Sequence, residues 1–189
     1  MEEYKLHRNE IKRWAEKGTE LTGVSLSELP GINLYMDQVI SLLGEKLEFY
    51  QRDEGSKLLT SSMINNYVKS EVIPHPEKKK YNKEHLASLI VVCLLKQVIS
   101  IPDIKTLLSG CSDMEGFYSK FEQTQTQAIN EVSAQLRFAA ENGDDLRLIA
   151  LKFAAEANAK RAAAERILVE IDRDENRDNT KTQKSKQPK

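Results

Sequence analysis

The sequence predicts a mainly α-helical fold, and three observations carry that expectation. Only 8 Gly and 5 Pro interrupt the 189 residues, aromatic residues make up 6%, and long stretches lack any turn signal. Many short strands closed into a sandwich or barrel would need far more punctuation. Apolar residues recur at helical spacing in successive segments. The 40% apolar content is enough for one core of ordinary size with helical extensions.

Residues 3–17 read as an amphipathic helix, with Leu6, Ile11, Trp14 and Ala15 near helical spacing and Gly18 as a stop. Its apolar patch is small, so it must dock on another element. The Thr/Gly/Ser-rich stretch 18–28, then Pro30 and Gly31, mark a boundary, after which Asn33 can cap a second helix reaching about Tyr50. The polar segment Gln51–Lys57, with Gly55, reads as a loop. Thr60 then precedes a short periodic segment, SSMINNYVK, that ends near Lys69.

The stretch Val72–Lys80, VIPHPEKKK, has two prolines at alternate positions and no helical period, which predicts an extended excursion or short hairpin. Asn82, with Glu84 in the first turn, starts the strongly apolar helix KEHLASLIVVCLLKQVI. Its apolar positions span more than one face, so it belongs at the centre of the core, with Cys93 packed there as a small apolar residue. Ser100 and Asp103, with Pro102 in the first turn, begin another helix that ends by Leu108–Gly110.

From Ser112 two long helical patterns flank one break, Glu141–Asp145, predicting a helical hairpin or a kinked arm. The first carries Phe117, Phe121, Ile129, Val132 and Leu136; the second carries Leu146, Ile149, Phe153, Ile167, Leu168 and Ile171 among many alanines. No strict heptad persists, so a regular parallel coiled coil is not expected. The resulting organisation is an N-terminal helix and linker (1–29), a compact module (30–109), a helical dimerisation or regulatory segment (110–173) and a polar, basic tail (174–189) without apolar anchors, expected to be disordered.

The chain's net charge of −1 hides an uneven distribution. Residues 56–109 hold 8 Lys/Arg against 4 Asp/Glu and the last 14 residues hold 5 against 1, whereas residues 1–55 and 110–175 are acidic. A basic block flanked by acidic helices suits a nucleic-acid-binding module with separate dimerising parts. The chemistry of catalysis is missing: there is no nucleophile elbow, phosphate loop or zinc motif, and Asp37, Glu45 and Glu48 read as a solvated helix face. Cys93 and Cys111 form no CxxC pair, and His7, His75 and His85 are scattered, so no metal, disulfide framework or cofactor is expected. Acids near the N-terminus and the lack of a long apolar run predict a cytoplasmic protein that does not enter a membrane.

Within Thr60–Lys69, Met63, Ile64, Tyr67 and Val68 recur at core-facing positions, which leaves Ser61, Ser62, Asn65, Asn66 and Lys69 outward. One face fixes such a helix on its domain while the other offers donors and acceptors to base edges and phosphates. Asn suits an adenine edge because its amide both donates and accepts. Lys78, Lys79 and Lys80 follow in the extended stretch, then Tyr81, and consecutive lysines there could neutralise phosphates beside the groove that the helix reads. Helix, basic wing, helix, helix is the order of a winged helix-turn-helix.

The run TSSMINNYVKSEVIPHPEKKKYNKEHLASLIVVCLLKQVISIPDIKTLL resembles the MerR family of transcription regulators. The resemblance matches Tyr67 to the second of the paired aromatics that end the recognition helix and Lys79 and Lys80 to the wing arginines. It matches Tyr81 to the aromatic that follows them, and Ser100, Ile104, Leu107 and Leu108 to the closing helix. More closely, LPGINLYMDQVISLL, TSSMINNYVK and KKKYNKEHLASLIVVCLLKQVISIPDIKTLL are similar to a bacterial family described as a domain of unknown function with a MerR-like helix-turn-helix, over about residues 28–173. Asn65 stands where MerR proteins usually have Arg, Asn66 replaces the first aromatic, Glu71 takes the place of a turn Gly, and the loop Gln51–Leu59 replaces a tight turn.

The resemblance implies a MerR-like winged helix-turn-helix with a small extended wing and a C-terminal helical arm. Its partners would be double-stranded DNA and a second copy of the chain, since such modules bind palindromes as dimers. The residues expected at DNA are Ser61, Ser62, Asn65, Asn66, Lys69, Lys78, Lys79, Lys80 and Tyr81. The function expected is that of a sequence-specific transcription regulator; the alternative is a protein-interaction adaptor on the same fold, without DNA binding.

Overall fold

A computed structural model describes residues 2–20, 23–51 and 57–184. Residues 52–56 of the expected loop, residues 185–189 of the expected tail and the side chain of Leu6 lie outside the described residues. Helix α1 spans Glu2–Glu20. Strand β1 (Leu34–Tyr35) leads into α2 (Met36–Lys46), followed by α3 (Ser61–Lys69), strand β2 (Lys80–Tyr81), α4 (Lys83–Leu95) and α5 (Ile101–Ser109). Two long helices, α6 (Met114–Asn142) and α7 (Leu146–Lys184), complete the chain.

Helix α4 is the centre, as its many-sided apolar pattern predicts. Nine consecutive residues, His85–Cys93, are buried, so α4 needs cover around its whole circumference. Val39 and Leu43 of α2, Ile64, Tyr67 and Val68 of α3, Ile104 of α5 and Tyr118 of α6 join it in one apolar cluster. Asn82 caps α4 by accepting the His85 backbone N–H at 3.0 Å. Ser100 caps α5 by accepting the Asp103 N–H at 3.3 Å, with Pro102 in the first turn. Burial pushes the Cys93 thiol up to about 11, which leaves it a neutral packing residue.

The start of α2 differs from the expectation. Asn33 does not cap it, because the chain stays extended through Leu34 and Tyr35 to pair with β2, Leu34 opposite Tyr81 and Tyr35 opposite Lys80. Helix α2 therefore begins at Met36, with Gln38 Oε1 accepting the Tyr35 N–H at 2.9 Å. It ends at Lys46, short of Tyr50, and Glu48–Tyr50 tighten into a 3₁₀ turn. The period-2 alternation of the two-residue strands sends Leu34 and Tyr81 inward and leaves Tyr35 exposed.

Helix α1 docks along α6, the partner its small apolar patch requires. Ala15 is fully buried, and a Cβ at Gly18 would sit 3.0 Å from Phe49 and 3.1 Å from Ser133 Oγ, so the two backbones approach through small residues. Arg8 reaches the far end of α6, donating to Asp144 O at 2.7 Å and Ala139 O at 3.1 Å. Ala139 lies in the last turn of α6 and Asp144 just past its end, where the helix dipole also favours a cation.

Gly143, at φ 79, ends α6 in the left-handed conformation that glycine adopts without steric cost. The chain then reverses, and Lys152 Nζ donates to Gln135 Oε1 at 3.0 Å, so α6 and α7 form an antiparallel hairpin. Leu168 of α7 returns to the core beside α5. The tail expected to be disordered from residue 174 instead continues α7 as helix to Lys184. No Gly or Pro interrupts residues 146–184, and ion pairs one turn apart, Arg161 with Glu165 at 2.6 Å and Arg166 with Glu170 at 2.8 Å, support the exposed helix.

The core does not stop at Ser109, where the compact module was expected to end. Tyr118 of α6 is buried and its hydroxyl donates to the Val24 carbonyl at 2.6 Å, which ties the approach to β1 to the arm. Tyr118→Phe keeps the ring and leaves that carbonyl without this donor. We expect the variant to lose about 1–3 kcal/mol in urea unfolding; an unchanged midpoint would show that the bond contributes nothing net.

Candidate nucleic-acid interface

Helix α3 is short and must be held at both ends. Thr60 accepts the Met63 N–H at 3.3 Å and so caps the N-terminus. Its inner face, Ile64, Tyr67 and Val68, is buried, with Met63 half-buried. Burial, with the nearby Cys93 adding to it, pushes the Tyr67 hydroxyl up to about 12. Ser61, Ser62, Asn65, Asn66 and Lys69 are all exposed on the outer face, as the i, i+1, i+4, i+5 spacing of the core residues requires.

Lys96, a residue that sequence reasoning passed over, locks this helix in place. Its ammonium donates to the Leu58 carbonyl at 2.6 Å, lies 3.4 Å from Met63 Sδ and sits 6.0 Å from the centre of the Tyr67 ring. The entry to α3 is thereby tied to the end of α4. A lone lysine closing an apolar helix was the one available hint, and its partner is a backbone carbonyl that no side-chain pattern reveals.

The C-terminus of α3 closes as a Schellman motif: Val72 N–H donates to Tyr67 O at 2.9 Å and Glu71 N–H to Val68 O at 3.0 Å. That geometry demands a left-handed residue, and Glu71 supplies it at φ 57. This is the position where the resemblance expects glycine. The Lys105 ammonium, 3.0 Å away on α5, holds the Glu71 carboxyl below the usual carboxylate range.

The stretch expected as a wing is a tight hairpin. The Lys80 N–H donates to the Glu77 carbonyl at 2.8 Å, and the two central residues, Lys78 at φ 49 and Lys79 at φ 65, are both left-handed. Positive φ at both central positions is the mark of a type I′ turn, which normally takes Asn-Gly. A lysine there pays steric repulsion of roughly 1–2 kcal/mol per residue. Lys78 and Lys79 are exposed. Lys80 is half-buried, its ammonium 5.1 Å from the centre of the exposed Tyr35 ring on β1.

Both α3 and β2 pack against α2, so the polar helix face and the lysine turn rest on one scaffold. Tyr81 does not join them. Its ring is 2% exposed and meets His85 edge-on at 5.7 Å, so it belongs to the core, where strand alternation sends it when Lys80 faces out. Tyr35 takes the outward aromatic position instead, a place its sequence does not reveal because a two-residue strand leaves no periodic signature. Among the described residues no group of three or more His, Cys, Asp or Glu is placed to hold a metal ion, and no helix is long and apolar enough to cross a membrane.

The turn also sets a measurable conflict between stability and charge. Lys78→Asn combined with Lys79→Gly relieves the left-handed strain. We expect it to stabilise the protein by about 1–2 kcal/mol in chemical unfolding, against the added backbone entropy of glycine. A destabilised double variant would mean that the two lysines make native contacts that outweigh the strain.

Residues 24–125 match the family described as a domain of unknown function (DUF1836), a span that runs from the approach to β1 into α6. Comparison with curated proteins and with solved structures found no match.

Proposed function

The chain belongs to the DUF1836 family, whose match covers more than half of it, and from that premise we propose that it is a sequence-specific DNA-binding protein, a transcription regulator acting as a dimer through a MerR-like winged helix-turn-helix. The observation that carries this reading is the turn Glu77–Lys80, where two lysines stand exposed in a conformation that favours Asn-Gly. Strain that neighbouring structure maintains is a mark of functional positions. Folding alone gives no reason for lysine there, whereas phosphate contact does.

The order of elements supports the same reading. Helix α2 and the outward-facing α3 are followed by the basic hairpin and then by the packed pair α4 and α5. On this reading Asn65 reads a base edge, Ser61, Ser62 and Lys69 hold phosphates, Asn66 flanks them, and Lys78 and Lys79 reach the adjacent backbone with Lys80 held on Tyr35 behind them. A selection from random DNA, run with wild type and with Asn65→Ala, tests it. We expect wild type to enrich one motif and the variant to lose preference at one position, equivalent to about 1–3 kcal/mol on the specific site. Lys78→Ala with Lys79→Ala should flatten the dependence of log affinity on log salt by up to about 0.9 for each phosphate contact removed. No enrichment by wild type would remove DNA reading altogether.

A second reading, a protein-interaction adaptor, draws on the arm. Phe138, Leu148 and Leu151 are 63–66% exposed around the turn of the α6–α7 hairpin, and apolar side chains gathered in this way mark interaction surfaces. In the DNA-binding reading this surface meets its own copy, which places two α3 helices on one duplex. Phe138→Glu with Leu151→Glu should then shift sedimentation from dimer to monomer and leave the helical circular dichroism unchanged. A double variant that remains a dimer would move the interface elsewhere.

A further inference from the structure

A cleft of about 400 Å³ lies between the turn that ends α3 and the segment joining α5 to α6. Val72, Ile73, Leu108 and Met114 give it an apolar lining, and Glu71 and Lys105 stand as charges at its edge. The size falls within the range of small-molecule sites, which are apolar pockets with a few polar groups that fix orientation.

Glu71 is the unexplained residue of this cleft. Its backbone, at φ 57, adopts a conformation for which glycine is the better residue. The Schellman closure of α3 uses only its N–H, so the turn itself does not call for a side chain. What the side chain does provide is a carboxylate, 3.0 Å from Lys105 Nζ on an element 34 residues away. The Lys105 ammonium and, more weakly, His75 hold that carboxyl below its ordinary range.

We propose that this cleft binds a small molecule with an apolar body and a single carboxylate, which takes over Lys105 from Glu71. The apolar body lies on Pro74, Leu108 and Met114, with Ile73 buried behind them; the carboxylate pairs with Lys105, and Glu71 turns out to solvent. Glu71 is thus an internal competitor that covers the ammonium until the ligand arrives. Because one wall is the closing turn of α3 and the other leads into α6, occupancy would bias the placement of α3 relative to the arm. That regulatory consequence rests on the DNA-binding reading; the binding itself does not.

The test is an NMR titration of the full chain, without DNA, using 3-phenylpropionate, its neutral amide and 3-phenylpropylamine as probes. The carboxylate should give saturable shifts at the Ile73, Leu108 and Met114 amides and bind at least about threefold more tightly than the other two, the range of a partly exposed ion pair. Glu71→Gln should tighten carboxylate binding about two- to fivefold by removing the competitor, and Lys105→Met should erase the preference for the carboxylate. Both substitutions are at exposed positions, and the Leu108→Trp variant, which fills the cleft, should abolish the shifts. Equal binding of the three probes, no tightening in Glu71→Gln, or no saturable shift up to about 10 mM, where even weak ligands register, would each overturn the proposal. None of those results bears on DNA selection, so failure of the site and failure of the DNA-binding reading are separately visible.

Discussion

The constraint on which the structure depends is that α4 is buried around its whole circumference. A helix with His85–Cys93 all inside cannot be satisfied by a single partner face. Val39 and Leu43 of α2, Ile104 of α5, Tyr118 of α6 and even Leu168, far along α7, are drawn into one cluster with it. The short α3 is stable for the same reason. Nine residues are too few for an isolated helix in water; Ile64, Tyr67 and Val68 hold it by burial, and Lys96 at the end of α4 fastens its entry.

With the core that firm, the backbone can hold strain elsewhere. Among the described residues, the non-glycine positions with positive φ are Glu71, Lys78 and Lys79, and all lie on the link between α3 and β2. Each stands where a sequence chosen only for folding would place Gly or Asn. At Glu71 the exception supplies a carboxylate to Lys105; at Lys78 and Lys79 it supplies two exposed cations. The conflict between local propensity and side-chain choice is greatest on the surface that carries the proposed function, as expected where charge, rather than folding, decides the residue.

Much of this could be read from the sequence, because the signals were local. The caps at Thr60, Asn82 and Ser100 and the division of α3 into inner and outer faces follow from spacing within one turn of helix. What was not legible depended on partners distant in the chain. Tyr35 and Tyr81 exchanged roles because the pairing of β1 with β2 sends one ring out and the other in, and two-residue strands carry no pattern. Lys96 acts on the Leu58 carbonyl, and Arg8 on carbonyls at the end of α6, both backbone acceptors without a side-chain signature. The tail past residue 174 lacks apolar anchors, but a helix already nucleated over more than seven turns continues where neither Gly nor Pro stops it.

The same geometry limits how the arm and the α3 surface can communicate. Helix α4 shares one apolar cluster with residues of both, and close-packed cores resist graded deformation. The Glu71–Lys105 pair, by contrast, joins the closing turn of α3 directly to α5 at the surface, where breaking it costs little. Helix α5 also packs against α7, and the chain passes from α5 into α6 within a few residues. A change in the arm would therefore reach α3 more readily around the core, by way of α5 and Glu71, than through it. The low energy of that contact suits it to such a role, because a strong buried bridge would fix one arrangement, whereas an exposed pair on a strained residue can be exchanged for another partner at small cost.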